Sequence, residues 1–197
     1  MSSGVPSSTA QAQAAANASG GGPSAADLDI QSTDVKTAAG VNLSSQQKVL
    51  VGSVLDLFKG QPSLKKLQLW TDEATFSDPI TKAEGRKQYQ AQWYGLQSAF
   101  SSIEQLHHSV TSAGNPIMLD LKSKYTVKGI GKEQTIESVV KIFTDSEGSK
   151  IVGVEDRWNG DIPEGAFAKA FRNLNSVAVP AFVGVPKTEK EDAEKRN

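Results

Sequence analysis

The stretch Leu69-Trp70-Thr71-Asp72-Glu73-Ala74-Thr75-Phe76-Ser77-Asp78-Pro79 reads as a short strand stopped by a proline. Ala74, Phe76 and Asp78 alternate with Thr75 and Ser77, the period of a strand with one buried face. Pro79 has no backbone N–H to give and ends the ladder. Upstream, Ser44 and Gln47 have capping-box spacing, and Leu50, Val51, Val54, Leu55 and Phe58 follow at helical intervals. Gly60 suits the stop, and Ser63 opens a short second helix with Leu64, Leu67 and Trp70. Downstream, Thr81 and Glu84 repeat the capping-box spacing ahead of one helical face with Tyr89, Trp93, Leu96 and Phe100.

Beyond that helix the period becomes two. Ile117, Leu119, Leu121, Tyr125 and Val127 fall on one side of a long strand, Lys122, Lys124 and Lys128 on the other. Gly129-Ile130-Gly131 is a turn, residues 134–144 a strand, Asp145 to Gly148 a hairpin turn and Lys150 to Trp158 a further strand. Pro163 begins a last short helix with Phe167, Phe171 and Leu174. Helices followed by a run of antiparallel strands predict an α+β fold. A curved sheet wrapped around a long helix leaves a cavity between them, the expected place for a ligand.

The flanks read differently. Residues 1–42 are dominated by Ala, Ser, Gly and Gln and predict a disordered leader in front of a domain over residues 43–180. Residues 181–197 predict an extended, charged tail. The chain has 197 residues, a formal net charge of -1 and no cysteine. The charge gives no field to steer it to nucleic acid or an acidic membrane, and the lack of cysteine excludes thiolate chemistry and disulfides. No stretch has the basic and apolar regions of a secretory signal, or the roughly 20 apolar residues of a membrane span. The expectation is a cytoplasmic protein, also compatible with the nucleus. Gly129-Ile130-Gly131-Lys132 lacks phosphate-loop spacing, and nothing points to a cofactor or a metal.

The run from Leu69 to Pro79 resembles the nuclear transport factor 2-like superfamily, in particular its ketosteroid isomerase and SnoaL-like cyclase branches. Ile151-Val152-Gly153-Val154-Glu155-Asp156-Arg157-Trp158-Asn159-Gly160 is similar to the closing strand of that family. The resemblance implies a cone-shaped barrel of a curved antiparallel sheet around a long helix, often dimeric through the sheet. It also implies a pocket used for isomerisation, dehydration, cyclisation, hydrolysis or plain binding.

Three residues are candidate acids or bases. Asp78 stands where the isomerase branch has its general base; the competing reading is an Asp-Pro turn residue bonded to nearby backbone. Asp156 lies among Val152, Val154 and Trp158 on one strand face, where an acid is costly unless partnered or functional. His108 shares a face with Leu106 and Val110 and is expected to point inward. His107 and His108 are the only histidines, and as strand neighbours they cannot jointly hold a metal. The isomerase branch also needs oxyanion donors. Their positions fall near Val54 and Phe58 and near Val139 and Val140, none of which can donate, and one lost donor costs about 2.7–4 kcal/mol. Trp93, Tyr125, Trp158 and Tyr89 are the aromatic candidates for lining a pocket; the competing and favoured reading of such residues at helix and strand spacing is core filling. The expected function is a SnoaL-like domain binding a small apolar or aromatic ligand in its cone. The alternatives are a cyclase, dehydratase or isomerase-type enzyme, and a protein-interaction module. Two-fold pairing is the commonest closed assembly, so a homodimer is expected.

Overall fold

The computed structural model describes residues 22–177 and 184–196. Helix α1 spans Ser45–Phe58 behind the expected capping box: Gln47 N donates to Ser44 Oγ at 3.1 Å, and Ser44 N to Gln47 Oε1 at 3.0 Å. Ser63 caps the one-turn α2, Leu64–Leu67, through Lys66 N. Trp70 does not extend this helix. It starts strand β1, Trp70–Asp78, because its backbone pairs with Ile151.

Thr81 and Glu84 do not form a capping box. Thr81–Glu84 is strand β2, which returns antiparallel along β1 with Thr81 and Ala83 buried and Lys82 and Glu84 exposed. Helix α3, Arg86–Ala99, starts after Gly85, whose φ of 80° suits glycine, and no side chain caps it. Arg86 ties α3 to β1 by donating to Trp70 O at 2.8 Å and pairing with Asp72, and to the end of α2 by donating to Leu67 O at 3.1 Å.

Strands β3, Phe100–Ser112, β4, Ile117–Val127, β5, Glu133–Thr144, and β6, Ile151–Trp158, complete one curved sheet in the order β2-β1-β6-β5-β4-β3. The expected antiparallel sheet is in fact mixed, since β1 runs parallel to β6 while every other pair is antiparallel. The faces of β4 follow the sequence pattern. Leu119, Leu121, Tyr125 and Val127 are buried. On the other face Lys122 pairs with Glu137 at 2.7 Å, and Lys124 with Glu104 at 3.0 Å. Helix α4, Ala166–Val177, begins after Gly165 rather than at Pro163 and buries Phe167 and Phe171. The side chain of Leu174 lies outside the described residues.

Both flanks depart from expectation. Residues 1–21 lie outside the described residues, but residues 22–42 pack against the body. Leu28 and Ile30 enter the core, and Thr37 bridges to Val110, with Ala38 N donating to Val110 O at 2.8 Å. The anchor is a buried ion pair. Asp56 on α1 and Lys66 on α2 meet at 2.9 Å, and the same carboxylate accepts Gln31 N at 2.8 Å and Ser32 N at 3.0 Å. Gly52 allows this approach, because a Cβ there would stand 2.4 Å from Ser32 O. The charged end is helical too: α5 spans Glu189–Arg196, and its buried Asp192 accepts Leu64 N and the Tyr94 hydroxyl.

Removing one partner of a buried, hydrogen-bonded ion pair strands the other, at a cost of about 3–5 kcal/mol. Asp56→Ala should lose about that much stability in urea unfolding and speed proteolytic cleavage between residues 22 and 42. A loss below about 1 kcal/mol with unchanged cleavage would contradict this role.

Candidate functional site

Two carboxylates come together at the end of the parallel pair. Phe76 registers with Val154 and Ser77 with Glu155. Phe76 and Val154 are buried, so the next residues on that face are Asp78 and Asp156. Neighbouring strands lie about 4.8 Å apart, which sets the two acids side by side.

They face the inside of the cone, together with Phe76 and Tyr125 from the sheet and Gln92, Trp93 and Leu96 from α3. Phe58 of α1 and Phe171 of α4 close the remaining walls. The interior is nearly filled. Trp93 packs on Phe76 with ring centroids 4.6 Å apart and on Phe58 at 5.3 Å. Phe171 packs on Phe100 at 5.3 Å and Trp158 at 5.5 Å. The cavity left between them measures about 10 Å³, room for about one water molecule.

Asp78 is both a turn residue and a pocket acid. Its Oδ1 accepts Ile80 N at 2.8 Å. Burial raises its pKa above the ordinary value, against the lowering effect of Ile80 and Thr81. Asp156 is deeper, 4% exposed. Trp158 Nε1 donates to its Oδ2 at 2.7 Å, while Oδ1 has no hydrogen-bond partner. Burial pushes its carboxyl up to about 6; Ser138 and Trp158 oppose the rise, and the nearby Asp78 charge adds to it. The Tyr125 phenol is likewise raised, first by burial and then by the charges of Asp156 and Asp78, so it stays protonated as a donor. Trp93 Nε1 is buried without a partner.

The other candidates lie elsewhere. His108 accepts Lys36 N at 3.2 Å, which holds the N-terminal segment, and burial lowers its pKa. His108 stands opposite the buried Leu121 and keeps the face of Val110, as expected; the register shift between Gln105 and His107 takes only Leu106, 45% exposed, off that face. Tyr89 donates to Thr71 O at 3.1 Å and packs on Trp70, away from the acids. Trp158, half-buried, is the exception: it does not line the cavity itself but donates to Asp156 and packs on Phe171. Sequence reasoning missed Gln92 and Phe171 as wall residues. Gln92 lies between the apolar positions of α3, and Phe171 was legible only as one side of a short amphipathic helix.

No protein-family model and no curated protein sequence matches the chain. Solved structures do match in shape. A nuclear transport factor 2-like protein from Anabaena variabilis superposes with a TM-score of 0.51 at 15% identity, over 63% of this chain and 97% of its own. A protein described as a steroid delta-isomerase from Pseudomonas aeruginosa also gives 0.51, at 14% identity, over 70% of this chain and 94% of its own. The chain has the nuclear transport factor 2-like fold. Among the described residues, no helix is long and apolar enough to cross a membrane.

The raised Asp156 pKa has a sign that can be tested. The unfolded carboxyl titrates near 3.9, and the folded one at about 6. The folded state therefore holds the proton more tightly, and the stability this gives is complete below about pH 4 and lost as pH rises through 6. Two pKa units correspond to about 3 kcal/mol. Asp156→Asn keeps an acceptor for Trp158 and removes the charge, so in urea unfolding it should gain about that much on wild type between pH 4 and pH 7. Parallel stability profiles for the two proteins would contradict the assignment.

Proposed function

We propose that the cone is a small-molecule binding site, with Asp78 and Asp156 as its polar end and α4 as its movable wall. One observation carries the reading: Asp156 and Trp93 line the same cavity, and Asp156 Oδ1 and Trp93 Nε1 are buried without a hydrogen-bond partner. Leaving a buried polar group unpaired costs about 1–3 kcal/mol, and such costs concentrate at sites shaped for a ligand. The surrounding aromatics supply the apolar surface that a small ligand would cover.

A cavity of about 10 Å³ admits no ligand larger than water, so binding requires Phe171 to withdraw. Between Trp158 and α4 the chain passes Gly160 and Gly165, with φ of 85° and 77°. This segment can turn without dragging the sheet along. A second reading, acid–base catalysis, is favoured by the Asp156 carboxyl at about 6, a value suited to proton transfer near neutral pH. In that reading Tyr125, rather than a residue of α1, is the hydrogen-bond donor to a developing oxyanion.

Phe171→Ala should open the cone without disturbing the acids. The three tryptophans give distinct indole N–H signals by NMR. Benzene added to the variant should shift the Trp93 and Trp158 signals and leave Trp70 close to its original position. Absence of any shift at Trp93 and Trp158 would count against a ligand cavity.

A further inference from the structure

The two acids of the cone have no countercharge. Neither Asp78 nor Asp156 takes part in an ion pair among the described residues, and no lysine or arginine is near enough to affect the titration of either. This sets the cone apart from the buried Asp56, whose partner Lys66 supplies the cation. Two carboxylates on adjacent strands repel each other, and the low-dielectric interior strengthens that repulsion. A neutral ligand can accept or donate one hydrogen bond but leaves the repulsion in place. A positive charge between the acids removes it.

The walls fit the same chemistry. Trp93, Tyr125 and Phe76 present rings around the acids, with Phe171 as the removable side. Aromatic faces attract a cation within about 6 Å of the ring centroid, and they also accept its alkyl substituents. The unpartnered indole N–H of Trp93 asks for an acceptor on the same molecule.

From the paired carboxylates, the rings around them and the free Trp93 donor, we infer that the cone takes a small organic ammonium compound bearing a hydroxyl or similar acceptor. The cation sits against Asp78 and Asp156, its alkyl groups against the rings, and its acceptor on Trp93 Nε1. This rests on the cone being a ligand site, and the test separates the two ideas.

Choline and 3,3-dimethylbutan-1-ol have nearly the same shape, but only choline is charged. Each is titrated calorimetrically at pH 7 into the full chain and into Phe171→Ala. Choline should bind the opened variant at least 10-fold more tightly than its neutral counterpart. Adding Asp156→Asn or Asp78→Asn to that variant should reduce the preference several-fold while binding of the neutral alcohol persists. Circular dichroism confirms that each protein is folded, and Asp156→Asn is the gentler change because Trp158 keeps its acceptor. Equal binding of the two compounds, or a preference that survives both asparagine substitutions, overturns the ammonium inference and leaves the cone as a ligand site. Binding of neither compound to either protein overturns the ligand site itself, and the inference with it.

Discussion

Parallel pairing of β1 with β6 is the constraint on which the interior of this protein depends. An all-antiparallel meander would not bring the end of the first strand beside the end of the last. Here the ladder through Phe76 and Val154 and then Ser77 and Glu155 carries Asp78 and Asp156 onto the same inward face. The turn at Pro79 then fixes the height of Asp78, because its carboxylate is bonded to Ile80 N in the turn itself. Asp156 is fixed by Trp158, two residues along its own strand. Each acid is thus held by a local partner, and their proximity is a consequence of sheet topology.

Setting a half-buried carboxylate beside a buried one is unfavourable, and the fold offsets it with aromatic packing. Trp93 joins Phe58, Phe76 and Trp70 in one cluster; Phe100, Tyr125, Phe167 and Phe171 form another with Trp158. Aromatic pairs of this kind contribute about 0.5–1.5 kcal/mol each beyond the area they bury. The second cluster depends on α4, which belongs to neither the sheet nor the central helix. Through Phe171, α4 covers the cavity beside the acids.

Much of this was legible in the sequence, and the failures have physical causes. The alternation of Ala74, Phe76 and Asp78, the stop at Pro79 and the isolated acid at Asp156 were local patterns, and the structure keeps them. The parallel β1–β6 contact joins segments some eighty residues apart and leaves no local trace. His108 does stand on the face of Leu121 and Val110, but it meets Lys36 of the N-terminal segment and not the acids, a long-range contact that no local pattern announces. The two flanks were misread for another reason. Residues 22–42 have too little apolar surface to fold by themselves, and α5 is nearly all charged. Each is anchored by a buried carboxylate acting on distant backbone, Asp56 for the first and Asp192 for the second, alongside contacts such as Leu28 and Ile30 in the core. Asp56 carried a signal: an acid between Leu55 and Leu57, in a helix whose neighbours are apolar, is a residue waiting for a partner.

The central claim is that Asp78 and Asp156 share a desolvated site without a cation. It is tested most directly by NMR titration of the carboxyl carbons in the unliganded protein. The account predicts that Asp156 titrates at about 6, that Asp78 lies above the ordinary range near 3.9, and that each signal responds to the ionisation of the other. Independent titration of both groups at or below 3.9 would show that they are solvated or paired, and would contradict it.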